Sequence, residues 1–410
     1  MGLIVQKFGG TSVGDIDKVR QAAARAIRAK QAGNKVVVVV SAMGKMTDEL
    51  VDMANKATRN PPKREMDQLL SSGEQIAISL FAMAVYDQGH DAISFTGDQI
   101  GLITDEAFTK ARIQSIDHDR ILKQLHAGRI VVVAGFQGIT PGGEVTTLGR
   151  GGSNATLVAL GAVLKADVCE NYTDVDGIFT ADPRLVPNAR KLQQISYDEM
   201  LELSGLGAGV LQTRAVEFAK KYNVPLHVRN SQTDAEGTWI VAETPNMEMI
   251  VVSGVSLKKD LVRVAIGNIP DRPGTAAMLF TEIAAANIVV DDIIQTVFED
   301  GKAVISFTVE AGDLSDIKPV IETVRKDLGP SVTANYESNL AKVSAVGVGM
   351  RSHTGVARRM FKALADADVN IQNITTSEIK ISCIIAREDG QRALQVVHDA
   401  FELEKQPGTA

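Results

Sequence analysis

Five consecutive valines, 36–40, constrain the fold of this chain more than any other stretch. An unbroken β-branched run suits a strand buried on both faces, since a strand with one wet face alternates apolar and polar residues. A second apolar run lies at 130–134, further strands are read at 168–172 and 224–228, and a short apolar strand, Leu3-Ile4-Val5, opens the chain. Stretches with helical character lie between them, at 17–32, 73–88, 153–166 and 213–222. Buried strands alternating with helices predict a mostly parallel α/β sheet covered on both faces. Ligands of such folds sit at the carboxyl ends of the strands. Lys7, Ser41, Gly135 and Thr173-Asp174 all fall there.

The pattern changes at 242–249, where Thr244-Pro245-Asn246 reads as a linker. An internal repeat follows. Gly274, Phe280, Ala284 and Ile288 return 81 residues later as Gly355, Phe361, Ala365 and Val369. Each copy has a strand (262–266; 342–346), a glycine-bearing loop, an amphipathic helix, two more strands and a final helix. The first copy closes with a fourth strand near 331–333. The second ends one strand short, while an unassigned strand, 249–255, precedes the first. The economical solution is that this strand completes the second copy's sheet and the modules interleave. The expected domains are 1–244, 262–338, and 249–258 with 340–410.

The 410 residues allow two or three domains. A net charge of -7 argues against nucleic acid or an anionic membrane as the main partner. Two cysteines, Cys169 and Cys383, lack metal-ligand spacing and fit a reducing cytosol. The six histidines show no metal-binding pair, and no run reaches membrane-spanning length. A cytoplasmic protein is expected.

Chemistry concentrates in four places besides the repeats. Lys7-Phe8-Gly9-Gly10-Thr11 follows the first strand. Glycines let backbone N–H groups approach an anion, and the lysine adds a mobile charge. The plainer reading is a strand-to-helix turn with a surface lysine. It is not a P-loop, because Asp15-Ile16 stands where Lys-Ser/Thr is required. Ser41 to Thr47 follows the valine strand, and a surface turn explains it equally well. Glu74 opens an apolar helix, where a glutamate is commonly a dipole partner. Arg150, among Gly149, Gly151 and Gly152, suits a two-pronged grip on a carboxylate. In the segment 172–184, Asp174, Asp176 and Asp182 lack the terminal glutamate of a calcium loop, so a nucleotide loop is the better reading.

Together KFGGTSV, SAMGKMTDEL, SSGEQ, TTLGRGGSN and YTDVDGIFTADPR resemble aspartate kinases of the amino acid kinase family. The tandem repeat resembles paired ACT regulatory domains, with GMRSHTGVA and ITTSEIKIS similar to the second module. The resemblance covers essentially the whole chain. It implies an αβα sandwich followed by two ACT (βαββαβ) domains, and ATP-dependent phosphorylation of the aspartate side chain. Lys7, Arg150 and Asp174 would be catalytic. Phe8, Gly9, Gly10, Ser41, Thr173, Asp174, Phe179, Arg184, Gly209 and Val210 would join Lys7 around ATP. Arg150 with Gly151, Gly152 and Ser153 would hold an aspartate carboxylate, and Glu74 with Thr47 its ammonium end. Mg²⁺ would be held by phosphates and water, without a protein cage. Asn154 stands where the family usually has aspartate, and Gly209 where it has lysine or arginine. Those departures motivate an alternative, an amino-acid-sensing regulatory protein with a weakened kinase domain.

The resemblance also implies control by lysine, strengthened by threonine, in a homodimer or larger assembly. Effector loops would be Asp271 with Gly274, Thr275 and Ala276, and Val356 in the second copy. The facing residues would be Val289, Val290, Asp291 and Gln295, and Asn370 with Ile371. Gln295, Thr308, Thr376 and Ser377 are expected on strands facing the effector interface.

Overall fold

A computed structural model describes residues 2–149, 151–206, 211–242, 251–298, 301–351 and 353–405. The chain forms two compact units, Met1–Phe179 with Lys191–Met247, and Thr180–Arg190 with Glu248–Ala410.

The first unit begins β1 (Leu3–Phe8), α1 (Ile16–Gln31), β2 (Lys35–Val40), α2 (Met46–Ala57) and α3 (Lys63–Asp87). Next come β3 (Ala92–Phe95), β4 (Leu102–Thr104), β5 (Ile113–Ile116), α4 (Asp119–His126) and β6 (Ile130–Ala134). It continues through β7 (Gln137–Ile139), β8 (Val145–Thr147), α5 (Gly152–Leu164), β9 (Val168–Thr173) and β10 (Gln194–Ser196). It ends with α6 (Tyr197–Gly205), α7 (Thr213–Tyr222), β11 (Leu226–Asn230) and β12 (Thr238–Val241). The main sheet runs β10-β12-β11-β9-β1-β2-β6-β3, and β11-β12 is its one antiparallel pair. The five valines sit near its centre and are all buried, as their composition requires. Val36, Val38 and Val40 meet α1 and α3 in one core. On the other face lies α5, which is apolar all round and buried almost throughout. Gly161 lets α5 pass over β9, since a Cβ there would fall 2.2 Å from Cys169 Sγ.

Helix α3 departs from expectation. It starts at Lys63, just after Pro62, so Glu74 lies in its middle and is no dipole partner at a helix end. The early turns are polar and hide the helix from a hydrophobicity reading. By length and composition α3 could also cross a membrane, against the expectation that no run reaches that length. Here its Ala77, Ile78, Phe81 and Val85 are core residues of the first unit.

The second unit contains β13 (Gly254–Pro270), α8 (Thr275–Ala285), β14 (Asp291–Val297), β15 (Lys302–Glu310) and α9 (Leu314–Leu328). It is completed by β16 (Thr333–Val346), α10 (Val356–Asp366), β17 (Asn373–Thr376), β18 (Lys380–Ala386) and α11 (Gly390–Ala400). Its sheet order is β14-β15-β13-β16-β18-β17. Strands expected as separate are continuous: β13 and β16 each run through both modules. Leu261–Pro270 of β13 pairs with β15, while Gly254–Lys258 pairs with Lys342–Val346 of β16. The segment before the first copy thus lies beside the second copy's strands. The strand begins at Gly254; Met249 lies outside the described residues. Asp260 and Asn339 take left-handed φ values, 60° and 63°, where the β13–β16 register shifts. Such bulges bend a strand so that it can serve both modules within the one sheet. Each module has its own core, and Ala181 and Val186 of the Thr180–Arg190 segment belong to the second.

Candidate active site

Lys7 emerges at the end of β1 and is 9 % exposed. Burial lowers its pKa to about 8, partly offset by the Asp174 carboxylate. A Cβ on Gly9 would lie 3.2 Å from Lys7 Nζ, so this glycine leaves room for the ammonium. Gly10 has a different role. A Cβ there would fall 2.9 Å from the Ala42 carbonyl oxygen, and Gly44 N–H donates to Gly10 O at 3.0 Å. The second glycine therefore locks the β1 and β2 loops together. Phe8 is fully buried and stacks on Tyr172 at 4.8 Å, and its carbonyl accepts from Ser41 N–H at 3.1 Å, so it shapes the loop from beneath.

The loop after β2 is tied to the start of α5, against which the loop after β6 packs. Ser41 Oγ donates to Ser153 Oγ at 2.9 Å, and Gly135 approaches Ser153 so closely that a Cβ would lie 2.6 Å from Oγ. Beneath them Glu74 is 3 % exposed. Its Oε1 accepts from Ala42 N–H at 3.0 Å, while Oε2 is buried without a partner. Burial raises its pKa to about 7. Such a carboxylate lacks only a cation. Thr47 is half-buried in the first turn of α2. Ser153 and Asn154 are buried at the start of α5, and Asn154 Oδ1 has no partner. Gly151 takes φ 70°, and a Cβ would lie 2.8 Å from Gln212 Cβ. Arg150, Gly209 and Val210 lie outside the described residues.

The loop after β9 carries the remaining residues. Thr173 Oγ1 donates to Asp174 Oδ1 at 3.1 Å, and Asp174 is exposed. Asp176 instead accepts from Asn230 Nδ2 at 2.7 Å and holds the loop to β11. Phe179 is half-buried and bridges to Lys191. Arg184 belongs to the second unit, where its guanidinium grips Asp182 and holds that carboxyl below its usual range. Asp174, Asp176 and Asp182 thus have separate environments.

Asp67 was not foreseen. It is fully buried in α3 and accepts from Thr109 N–H, Thr147 N–H and Thr147 Oγ1 at 2.8, 2.9 and 2.6 Å. It fixes β8 just before the Gly149–Ser153 loop. The available signal was spacing: Asp67 and Glu74 are seven residues apart, two turns along one helix face.

In the second unit a cavity of about 390 Å³ is lined by Asp271, Gly274, Thr275, Ala276 and Gln295, together with Arg272 and neighbouring apolar groups. Gly274 and Gly355 precede α8 and α10 with φ 94° and 89° and open space around them. Their role is the left-handed turn that exposes a helix's first N–H groups. Other expected effector residues are not among those lining this cavity. Val289 is exposed, Val290 packs against the first module's core, and Asp291 pairs with Lys342. Thr308 is 2 % exposed and donates to Asp291 O and Asp292 Oδ2, both at 3.1 Å. In the second copy Val356 is buried and Ile371 packs on its core, whereas Asn370, Thr376 and Ser377 are exposed.

The chain matches the description "Amino acid kinase family" over residues 2–230, and "ACT domain" over 264–329 and 343–401. It is 52% identical over 407 residues to aspartokinase 2 of Bacillus subtilis (strain 168), covering 99% of each chain. The aspartokinase of Pseudomonas aeruginosa is 49% identical over 406 residues, 98% of each. Among solved structures, E. coli aspartokinase III in complex with aspartate and ADP (R-state) has a TM-score of 0.84 at 25% identity. That match covers 97% of this chain and 99% of the other. The same enzyme in complex with lysine and aspartate (T-state) gives 0.75, also at 25% identity and with the same coverage.

Proposed function

Because the chain belongs to the amino acid kinase family and, within it, is an aspartate kinase, we propose that it transfers the γ-phosphoryl group of ATP to the β-carboxylate of L-aspartate, giving 4-phospho-L-aspartate and ADP. The observation that carries this reading is Glu74: a buried carboxylate with one oxygen capped by Ala42 N–H and the other unpartnered. A substrate ammonium supplies the missing partner, which an N-acylated acid cannot do. Arg150 holds one carboxylate, with Ser153, Gly151, Gly152 and Thr47 shaping the pocket. The β-carboxylate needs no general base, because an ordinary aspartate carboxyl is ionised at neutral pH.

Phosphoryl transfer then asks for positioning and charge neutralisation. The Lys7 ammonium meets the transferring group, in the space that Gly9 leaves for it. Thr173, Asp174, Ser41 and Phe179 surround the nucleotide, with Phe8, Gly10, Arg184, Gly209 and Val210 assigned there from the resemblance. The donor set near Lys7 fits Mg²⁺ held mainly by phosphate oxygens and water, because Asp176 is already committed to Asn230. Mg²⁺ supplies further neutralisation of the phosphates.

The cavity at Asp271–Ala276 and Gln295 supports effector binding in the first ACT module. We assign lysine, strengthened by threonine, as inhibitor, acting in a homodimer or larger assembly of a cytoplasmic enzyme. The reaction would open lysine, threonine, methionine and diaminopimelate synthesis. The domains are taken as 1–244, 262–338, and 249–258 with 340–410. The test is ADP release with aspartate for wild type and Glu74→Gln. A rise of about tenfold or more in KM for aspartate is expected; an unchanged KM moves the ammonium site elsewhere.

A further inference from the structure

The first unit holds a second polar cavity, of about 290 Å³, on the sheet face away from Lys7. Alternation along β1 puts Ile4 and Gln6 on this side and Val5 and Lys7 on the other. Glu170 and Tyr172 of β9, Arg229 of β11, and Arg25 and Arg28 of α1 complete its charged wall, with Asp234 at the rim.

Much of this wall is already bonded. Arg25 donates to Ser231 O, Thr233 O and Asp234 Oδ1 at 2.9, 2.6 and 3.0 Å. Glu170 accepts from Gln6 Nε2 at 2.8 Å, Tyr172 Oη at 3.1 Å and Arg229 Nη1 at 3.0 Å. Two buried atoms stand outside that closed network. Gln6 Oε1, on a side chain 1 % exposed, has no partner, and neither has Arg229 Nε. The Gln6 amide cannot simply be turned over, since Glu170 needs its N–H. Arg28 is largely exposed and forms an ion pair with Asp234 at 3.5 Å. The cavity therefore offers an unsatisfied acceptor and an unsatisfied guanidinium donor. A purely structural network would close on itself, because a buried polar group left unpaired is costly.

We propose that this cavity is a binding site for a free α-amino acid, distinct from the catalytic pocket and from the second unit's cavity. The carboxylate lies against Arg229 Nε and Arg28, and the ammonium against Gln6 Oε1 and Glu170. Three guanidiniums against two carboxylates leave one excess positive charge for the ligand carboxylate. A simple anion would leave Gln6 Oε1 unmatched. The site bears on the catalytic loops through Tyr172, whose carbonyl accepts from Gly9 N–H at 3.3 Å and Ser12 Oγ at 3.4 Å.

The test uses the full-length protein labelled with 3-fluorotyrosine. Its five tyrosines give few ¹⁹F signals, and Tyr172→Phe assigns the one in the cavity. Glycine is the first probe, since it has both charges and no side chain; the other proteinogenic amino acids, acetate and methylammonium follow. The expected result is a saturable shift of the Tyr172 signal with at least one amino acid, about tenfold weaker with acetate or methylammonium. Ala29→Phe, which fills the cavity from α1, should abolish the shift while aspartate kinase activity remains. No saturable shift with any amino acid overturns the proposal. So does a shift unchanged in Ala29→Phe, or acetate binding as tightly as glycine. If Ala29→Phe does not fold, crystals soaked in the tightest amino acid decide. Density on Arg229 Nε supports the site, and its absence at saturation overturns it.

Discussion

Lys7 and Glu74 are buried ionisable groups, and the proposed function gives each an opposite charge from a substrate. Lys7→Ala should lower kcat by a factor of about 10²–10³, as removal of one group facing developing charge typically does. KM for aspartate should stay near normal, and steady-state kinetics distinguishes the two. Glu74 gives a pH signature. Its pKa is raised from 4.5 to about 7 by burial, so the free enzyme holds the carboxyl neutral below about pH 7. Pairing with the substrate ammonium needs the carboxylate. KM for aspartate should therefore climb as pH falls through about 7, and Glu74→Gln should flatten that dependence. Stability has the complementary sign. A raised pKa means that the folded state binds the proton more tightly than the unfolded chain. The associated stability is full below pH 4.5 and is lost as pH rises to about 7. Glu74→Gln should thus gain in Tm relative to wild type at pH 8 and show little gain at pH 4, even as aspartate binding worsens. A Tm difference independent of pH would assign the raised pKa to another state of the molecule.

Helix α3 shows what was legible in the sequence at the level of elements. The valine strand, the alternation of strands and helices, and the glycine loops follow from composition and spacing, because burial on both faces and left-handed turns restrict residue choice. The start of α3 was hidden, because its first turns are polar and its partners are distant in sequence. Asp67 was missed for the same reason: a buried aspartate is identifiable only once β8 and the Thr109 loop lie against it. The continuity of β13 and β16 was likewise invisible, since Asp260 and Asn339 resemble turn residues and instead form bulges. Asp67 now yields an element-scale prediction. Asp67→Ala removes the acceptor of three donors, Thr109 N–H, Thr147 N–H and Thr147 Oγ1, which should cost about 3 kcal/mol in urea denaturation. It should also raise KM for aspartate by releasing the Gly149–Ser153 loop. Asp67→Asn keeps one carbonyl acceptor and should restore part of both. Loss of stability with an unchanged KM would separate this aspartate from the substrate pocket.

Control belongs to the whole molecule, because an effector in one unit acts on chemistry in the other only by binding two states unequally. A difference of about 1–3 kcal/mol is enough for useful inhibition. Gln295 is the informative position: it lines the cavity with the Gly274 loop, and no catalytic residue belongs to that unit's sheet. Gln295→Leu should weaken inhibition by lysine and threonine while leaving kcat and Tm near wild type. Thr308→Ile is a different experiment. Thr308 is buried against Asp291 and Asp292, the pair that neutralises the Lys342 ammonium, itself 1 % exposed. An isoleucine there cannot donate to Asp292 and disturbs a buried charge cluster at the junction of the two ACT modules. Inhibition should be relieved, but together with a lower Tm, and the loss should extend to any effector that requires both modules to be ordered. The measurement is aspartate kinase activity against lysine and threonine, singly and together, for wild type, Gln295→Leu and Thr308→Ile, with a melting curve for each. Wild-type insensitivity to both amino acids would remove lysine and threonine as effectors and leave the catalytic reading standing. Equal relief in both variants, with Tm unchanged in both, would instead place Thr308 in the ligand's own contact set, against the buried position it holds here.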